Sequence, residues 1–268
     1  MNSLVLNSSL LFPSPVQQSS PCHRSKTQYI CSFLNHYGRD LSLSWSLPAF
    51  SLRSHQTSIG AAVPSNEGVV SVINFEDLNE KDWSFLDSDE SNSLEHMKKI
   101  DRIVSAGEIN KTSRVLVSIG SEGFVDRVVD SFPFDLLLVV HDSIFVLAGI
   151  KEKYDKVKCW QGELIYVPEK WAPLDVVFLY FLPALPFTLD QVFGALANCC
   201  LPGARVVISH PQGREVLEQQ REQFPDVIIS DLPDEMSLQK VAINHSFEIA
   251  QFVDEPGLYV TVLKFCKA

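Results

Sequence analysis

Apolar positions in this chain follow two alternating patterns from about residue 92 onward. Leu94, Met97, Ile100, Ile103 and Val104 recur at helical spacing, and Asn92 with Glu95 three positions on has the form of a capping box. Compact, mostly apolar runs then appear at Arg114–Ile119, Leu136–Val140, Leu174–Phe181 and Ala204–Ser209, with a shorter strand-like stretch at Lys156–Trp160. Such runs predict strands buried on both faces. Between them lie helical stretches: Phe124–Phe132, Ser143–Lys153, a helix opened by Thr188 and Gln191 and running to Cys200, Arg214–Phe224 and Ser237–Asn244. Gly120–Gly123 reads as a turn, and Leu201-Pro-Gly as a helix stop. Phe247–Val253 and Leu258–Phe265 close the chain as two strands joined by Asp254-Glu-Pro-Gly.

Repeated β-α-β units with continuous apolar strands imply a parallel sheet with helices on both faces. Two strands joined by a tight turn must pair antiparallel, because a parallel pair needs a long crossover. The expected fold class is therefore α/β: a doubly wound, seven-stranded, Rossmann-like sheet, mostly parallel, with an antiparallel C-terminal hairpin.

The first 91 residues do not share this pattern. Residues 1–60 are rich in Ser, with one acidic residue, Asp40, against Arg24, Lys26, Arg39 and Arg53. That composition is expected of an organellar transit peptide, and the high Ser with few Arg points to a chloroplast and its stroma. Residues 61–91 form an acidic stretch, expected to be a linker or lid with little regular structure, and 92–268 the folded domain.

Charge narrows the partners. The net charge of the chain is −11, and residues 61–268 alone carry 32 acidic against 18 basic side chains. A surface that acidic repels phosphate backbones and anionic lipid, so neither nucleic acid nor a membrane surface is an expected partner. No stretch reaches the ~18 uninterrupted apolar residues of a membrane span. Cys159, Cys199, Cys200 and Cys266 lie in the domain without metal-ligand spacing, which fits buried thiols in a reducing compartment. No metal is expected.

In sheets of this kind ligands bind at the carboxyl ends of the strands, where strand order reverses. The turn after the first strand reads Ser118-Ile-Gly120-Ser-Glu122-Gly123-Phe124, and Asp142 stands 22 residues after Gly120 at the end of the second strand. An acid there suits ribose hydroxyls. Gly120-Ser-Glu-Gly123 lacks the middle glycine of a dinucleotide fingerprint, and no Gly-Lys-Ser/Thr follows, which disfavours NAD or ATP chemistry.

The ordered series of motifs resembles the class I S-adenosylmethionine (SAM)-dependent methyltransferases over about residues 92–265. Arg114-Val-Leu-Val-Ser-Ile-Gly is similar to the family's strand entering the SAM loop, and Val140-His-Asp-Ser to its second-strand end. Gly162-Glu163-Leu164 with Val167-Pro168 is similar to a Gly-Asp-x-x-x-Leu-Pro stretch. Leu174-Asp-Val-Val-Phe is similar to the fourth strand, and Cys200-Leu-Pro-Gly-Ala-Arg-Val-Val-Ile to the approach to the fifth. The resemblance implies SAM as cofactor, with Ser118, Gly120, Glu122, Gly123, His141, Asp142 and Glu163 around it. It also has departures. Ser118 replaces the loop's acid, Glu122 its second glycine and Phe124 its third, and His141 stands where the acid of the second strand is usual. No Asn/Asp-Pro-Pro-Tyr/Phe follows the fourth strand, so methylation of base or protein amide nitrogens is not implied.

Each candidate has a structural alternative. Gly120 and Gly123 shape either a ligand loop or only a strand-to-helix turn. Asp142 holds a ribose or, with Ser143, starts a helix. Glu163 is an adenine-side contact or a solvated loop acid. Glu122 pairs with the SAM ammonium or blocks the pocket. Tyr180 and Phe181 pack at the sheet's rim or face the sulfonium. His210, at the end of the fifth strand, and Tyr180 are the candidates for catalysis, His210 as a general base. Two functions follow: a SAM-binding, methyltransferase-like chloroplast protein acting on a small molecule, or a catalytically inactive relative serving as a stromal binding or assembly factor with a protein partner.

Overall fold

In the computed structural model, residues 80–87 and 93–266 are described. The expected leader, and the acidic stretch apart from 80–87, lie outside these residues.

Seven strands form one sheet in the order β3-β2-β1-β4-β5-β7-β6. They are β1 (Arg114–Ser118), β2 (Leu136–His141), β3 (Lys158–Gln161), β4 (Leu174–Leu179), β5 (Cys200–His210), β6 (Phe247–Glu255) and β7 (Leu258–Phe265). The first five pair parallel, and β7 pairs antiparallel with both β5 and β6. Helices α1 (Leu94–Ala106), α2 (Glu122–Ser131), α3 (Ile144–Lys153), α4 (Leu189–Cys199), α5 (Gly213–Gln223) and α6 (Glu235–Asn244) lie on both sides. Val115, Val117, Leu137, Leu138, Val139, Val140, Val177 and Phe178 are all buried, so the central strands are covered on both faces, as their unbroken apolar runs require.

Several boundaries differ from the sequence expectation. Helix α1 is capped by Ser93, whose side chain accepts from the His96 N–H; Asn92, the expected cap, lies outside the described residues. Helix α2 starts at Glu122, because the buried Ser121 hydroxyl accepts from the Phe124 N–H and so caps the helix two residues earlier. Glu122 and Gly123 therefore belong to a first helical turn, not to a loop. Strand β3 runs over 158–161 rather than 156–160, since Val157 N–H is bonded to Tyr154 in a turn. Strand β4 ends at Leu179; a 3-10 turn at Leu182–Ala184 draws the chain away. Strand β5 begins at Cys200, with Leu201-Pro-Gly inside it. Gly203 takes φ +86, and the register with β4 shifts between Leu174 and Val176. The capping box of Thr188 and Gln191 is present as expected.

Candidate functional site

The turn after β1 is tight and crowded. Ile119 holds φ +53, a left-handed conformation that β-branched residues rarely adopt, while its N–H donates to the Val140 carbonyl. A Cβ added at Gly120 would meet Val117 Cγ1 at 2.4 Å, so this glycine is needed for close packing of the turn on its own strand. The Phe124 ring, where the resembled family has glycine, lies 4.3 Å from the Tyr180 ring between centroids. The Ser118 hydroxyl is buried at the end of β1 and has no hydrogen-bond partner among the described residues.

Glu122 does not enter this space. Its carboxylate turns along α3, beside Gly149, and pairs with Lys153 at 3.1 Å. Gly123 is exposed in the same helical turn.

At the end of β2, His141 is fully buried and Asp142 half-buried. The Ser143 N–H donates to His141 Nδ1 at 2.9 Å, so the ring proton sits on Nε2, which has no hydrogen-bond partner among the described residues. Burial lowers the His141 pKa to about 4, against the opposing pull of Asp142. Ser143 caps α3 by accepting from the Val146 N–H.

The side chains that meet these residues come from 80–87. Lys81 Nζ lies 3.0 Å from Asp142 Oδ2, and the Ser143 hydroxyl donates to the Glu80 carboxylate. The Trp83 ring stands edge-on to His141, with centroids 4.5 Å apart. Phe85 packs on Phe181 and Phe224, and Trp83 and Leu86 are buried. The segment thus reaches from the end of β2 to the end of β4. Because β1 lies between those strands, it crosses the mouth of the β1 turn. The sequence reading had a linker or lid here but named none of this strap's contact residues. The strap's signal was the apolar trio Trp83, Phe85 and Leu86 inside an acidic stretch.

Beyond the strap a cavity of about 10 Å³ remains, bordered by Phe85, Leu86, Tyr180, Phe181 and His210. It has room for about one water. His210 Nε2 bonds the Gln220 side-chain oxygen at 3.1 Å, leaving Nδ1 unpartnered among the described residues, and burial lowers its pKa to about 4. A base that weak is far from the optimum for proton transfer near neutrality. Tyr180 is buried beside it. Glu163 sits beyond β3, ahead of a 3-10 turn, with no hydrogen bond capping that turn. The structure brings Ser118, Gly120, His141 and Asp142 to one edge of the sheet. Glu163 follows the carboxyl end of the neighbouring β3, where the Gly162 N–H donates to the His141 carbonyl, and Glu122 and Gly123 open the helix after β1.

Solved structures with the same architecture are methyltransferases. A chain from the complex between the Haloferax volcanii Trm112 methyltransferase activator and the putative methyltransferase superposes with TM-score 0.56 at 10% identity, over 69% of this chain and 97% of that one. A SAM-dependent methyltransferase from Clostridium acetobutylicum gives 0.53 at 13% identity, over 69% and 97%. The N-methyltransferase NodS from Bradyrhizobium japonicum, solved with S-adenosyl-L-homocysteine (SAH), gives 0.52 at 5% identity, over 68% and 95%. The fold is the class I methyltransferase fold. No protein-family model and no curated protein matches the chain.

In this methyltransferase fold the nucleoside of SAM needs a hollow at the ends of β1 and β2 and an acid to hold its ribose. Here the acid is paired with Lys81, and Trp83 lies against the residue before it. With Lys81 on Asp142 and Trp83 on His141, a nucleoside would reach this acid only by displacing the strap. Among the described residues no cluster could hold a metal ion, and no helix is long and apolar enough to cross a membrane.

Proposed function

We propose that this chain is a methyltransferase-fold protein that carries no SAM in its resting state and serves the chloroplast stroma as a binding or assembly factor rather than as a methyl-transfer enzyme. One observation carries the reading: the carboxylate at the end of β2 is engaged by the chain's own Lys81, with Trp83 buried beside it. The crowded turn after β1, with Phe124 in place of a glycine, supports it. So does the state of His210, the candidate base, which is buried and weakly basic. A fold neighbour solved together with the Trm112 activator supports a protein partner for this scaffold. The Ser-rich, acid-poor opening supports the plastid address.

Calorimetry of the full chain with SAM and SAH at millimolar concentration tests this. The expected result is no heat of binding and no change in Tm. Ligand at 100 times its Kd would stabilise the domain by about 2.7 kcal/mol, and a shift of that order would overturn the reading.

A second reading, a SAM-binding protein that methylates a small molecule, has one observation in its favour. Glu122, the substitution best placed to block the pocket, is turned aside to Lys153.

A further inference from the structure

The strap meets the end of β2 in an unusual way for a segment that merely completes a core. A core segment matches apolar surface to apolar surface, and its buried polar atoms find partners. Here Trp83 and Leu86 are buried, yet polar atoms at this junction are left over. His141 Nε2, Asp142 Oδ1 and Trp83 Nε1 have no hydrogen-bond partner among the described residues. His141 is fully buried. Asp142 uses Oδ2 on Lys81, and its Oδ1 lies 3.5 Å from His141 Nδ1 without a hydrogen bond among the described residues.

The surface beneath the strap therefore offers more polar capacity than the strap uses. It presents a donor at His141 Nε2 and an acceptor at Asp142 Oδ1, next to the place where a flat ring, Trp83, lies 4.5 Å from the imidazole centroid. A flat heteroaromatic ring carrying a vicinal diol would use the same surface more fully. The ring would take the apolar contact, and the diol would donate to both carboxylate oxygens.

We propose that residues 80–87 act as an internal ligand: Lys81 and Trp83 stand in for the diol and ring of a nucleoside at the end of β2, and the surface beneath retains affinity for one. The proposal rests on the reading that the resting chain carries no SAM. A methyltransferase fold without cofactor would otherwise leave a polar cleft open to water. An internal occupant closes it and ties the segment before α1 to the sheet.

The test uses the full chain and three forms of it: Lys81→Ala, Trp83→Ala and both together, each checked for native far-UV circular dichroism. SAH and adenosine, at about 1 mM, are the probes. The wild type should show no change in Tm. The double variant should gain about 3 °C or more, and adding Asp142→Ala should remove that gain. If Trp83→Ala does not fold, Trp83→Leu keeps the apolar contact without the flat ring and replaces it in the same comparison. A folded double variant that ignores both probes overturns the internal ligand and leaves the non-catalytic reading standing. A wild type that responds as strongly as the variant overturns that reading, and the internal ligand with it.

Discussion

The imidazole of His141 and the indole of Trp83 meet edge to face, with their centroids 4.5 Å apart, and the strap thereby covers a histidine at the sheet's carboxyl edge. Burial holds His141 neutral, its pKa lowered to about 4, and His210 is held the same way.

These two groups set an acid limit. In the unfolded chain a histidine takes a proton near pH 6.5, whereas in the folded one it does so only near 4. Between those values the unfolded state binds more protons, so stability falls as pH is lowered through that window. Above about pH 6.5 the contribution is constant. Each histidine adds a slope of about 1.4 kcal/mol per pH unit. Urea unfolding at a series of pH values should show the loss. In Trp83→Ala, exposed His141 should titrate closer to 6.5 by NMR, while His210 should not move.

Lys81→Ala and Trp83→Ala should differ sharply in cost. The ion pair of Lys81 with Asp142 is about one-third exposed on both sides, so its loss should cost under about 1 kcal/mol. Trp83 is buried, and truncating it should cost about 3 kcal/mol. Chemical denaturation of the two variants reads both. Equal costs would mean that the pair anchors the strap as much as the ring does.

Gly120→Ala should destabilise by about 1–3 kcal/mol with no ligand present. The added methyl would sit 2.4 Å from Val117 Cγ1, on a strand that cannot move without disturbing β2 and β4. The midpoint of urea unfolding measures it.

Ser118→Ala should be neutral or stabilising, by up to about 1 kcal/mol, because the hydroxyl removed is buried without a partner among the described residues. A loss of 1 kcal/mol or more in the same assay would show that a partner holds it.

The order of elements was legible in the sequence because it rests on local rules. Unbroken runs such as Leu136–Val140 suit only strands covered on both faces, and the Thr188–Gln191 box caps its helix from side chains three residues apart. The closing hairpin followed from the shortness of its turn. Asp142 was legible too, since its place at the end of β2 follows from strand length alone. Boundaries slipped where neighbouring polar residues competed for one role. Ser93 and Asn92 both suit a cap by residue type, and the cap found for the second helix is Ser121, three residues before the expected start at Phe124.

The state of the candidate site was decided elsewhere. Nothing local tells Glu122 to reach Lys153, 31 positions away on another helix, or Lys81 to find Asp142 across 61 residues. An acidic, weakly apolar stretch such as 80–87 has no periodicity to betray where it will lie. By itself, then, the sequence determined which segments form strands and helices and how they alternate, because those choices depend on neighbours a few residues apart. Only the tertiary structure decided that the edge of the sheet is covered by the chain's own Trp83 and Lys81, because that depends on burial and charge between residues brought together by folding.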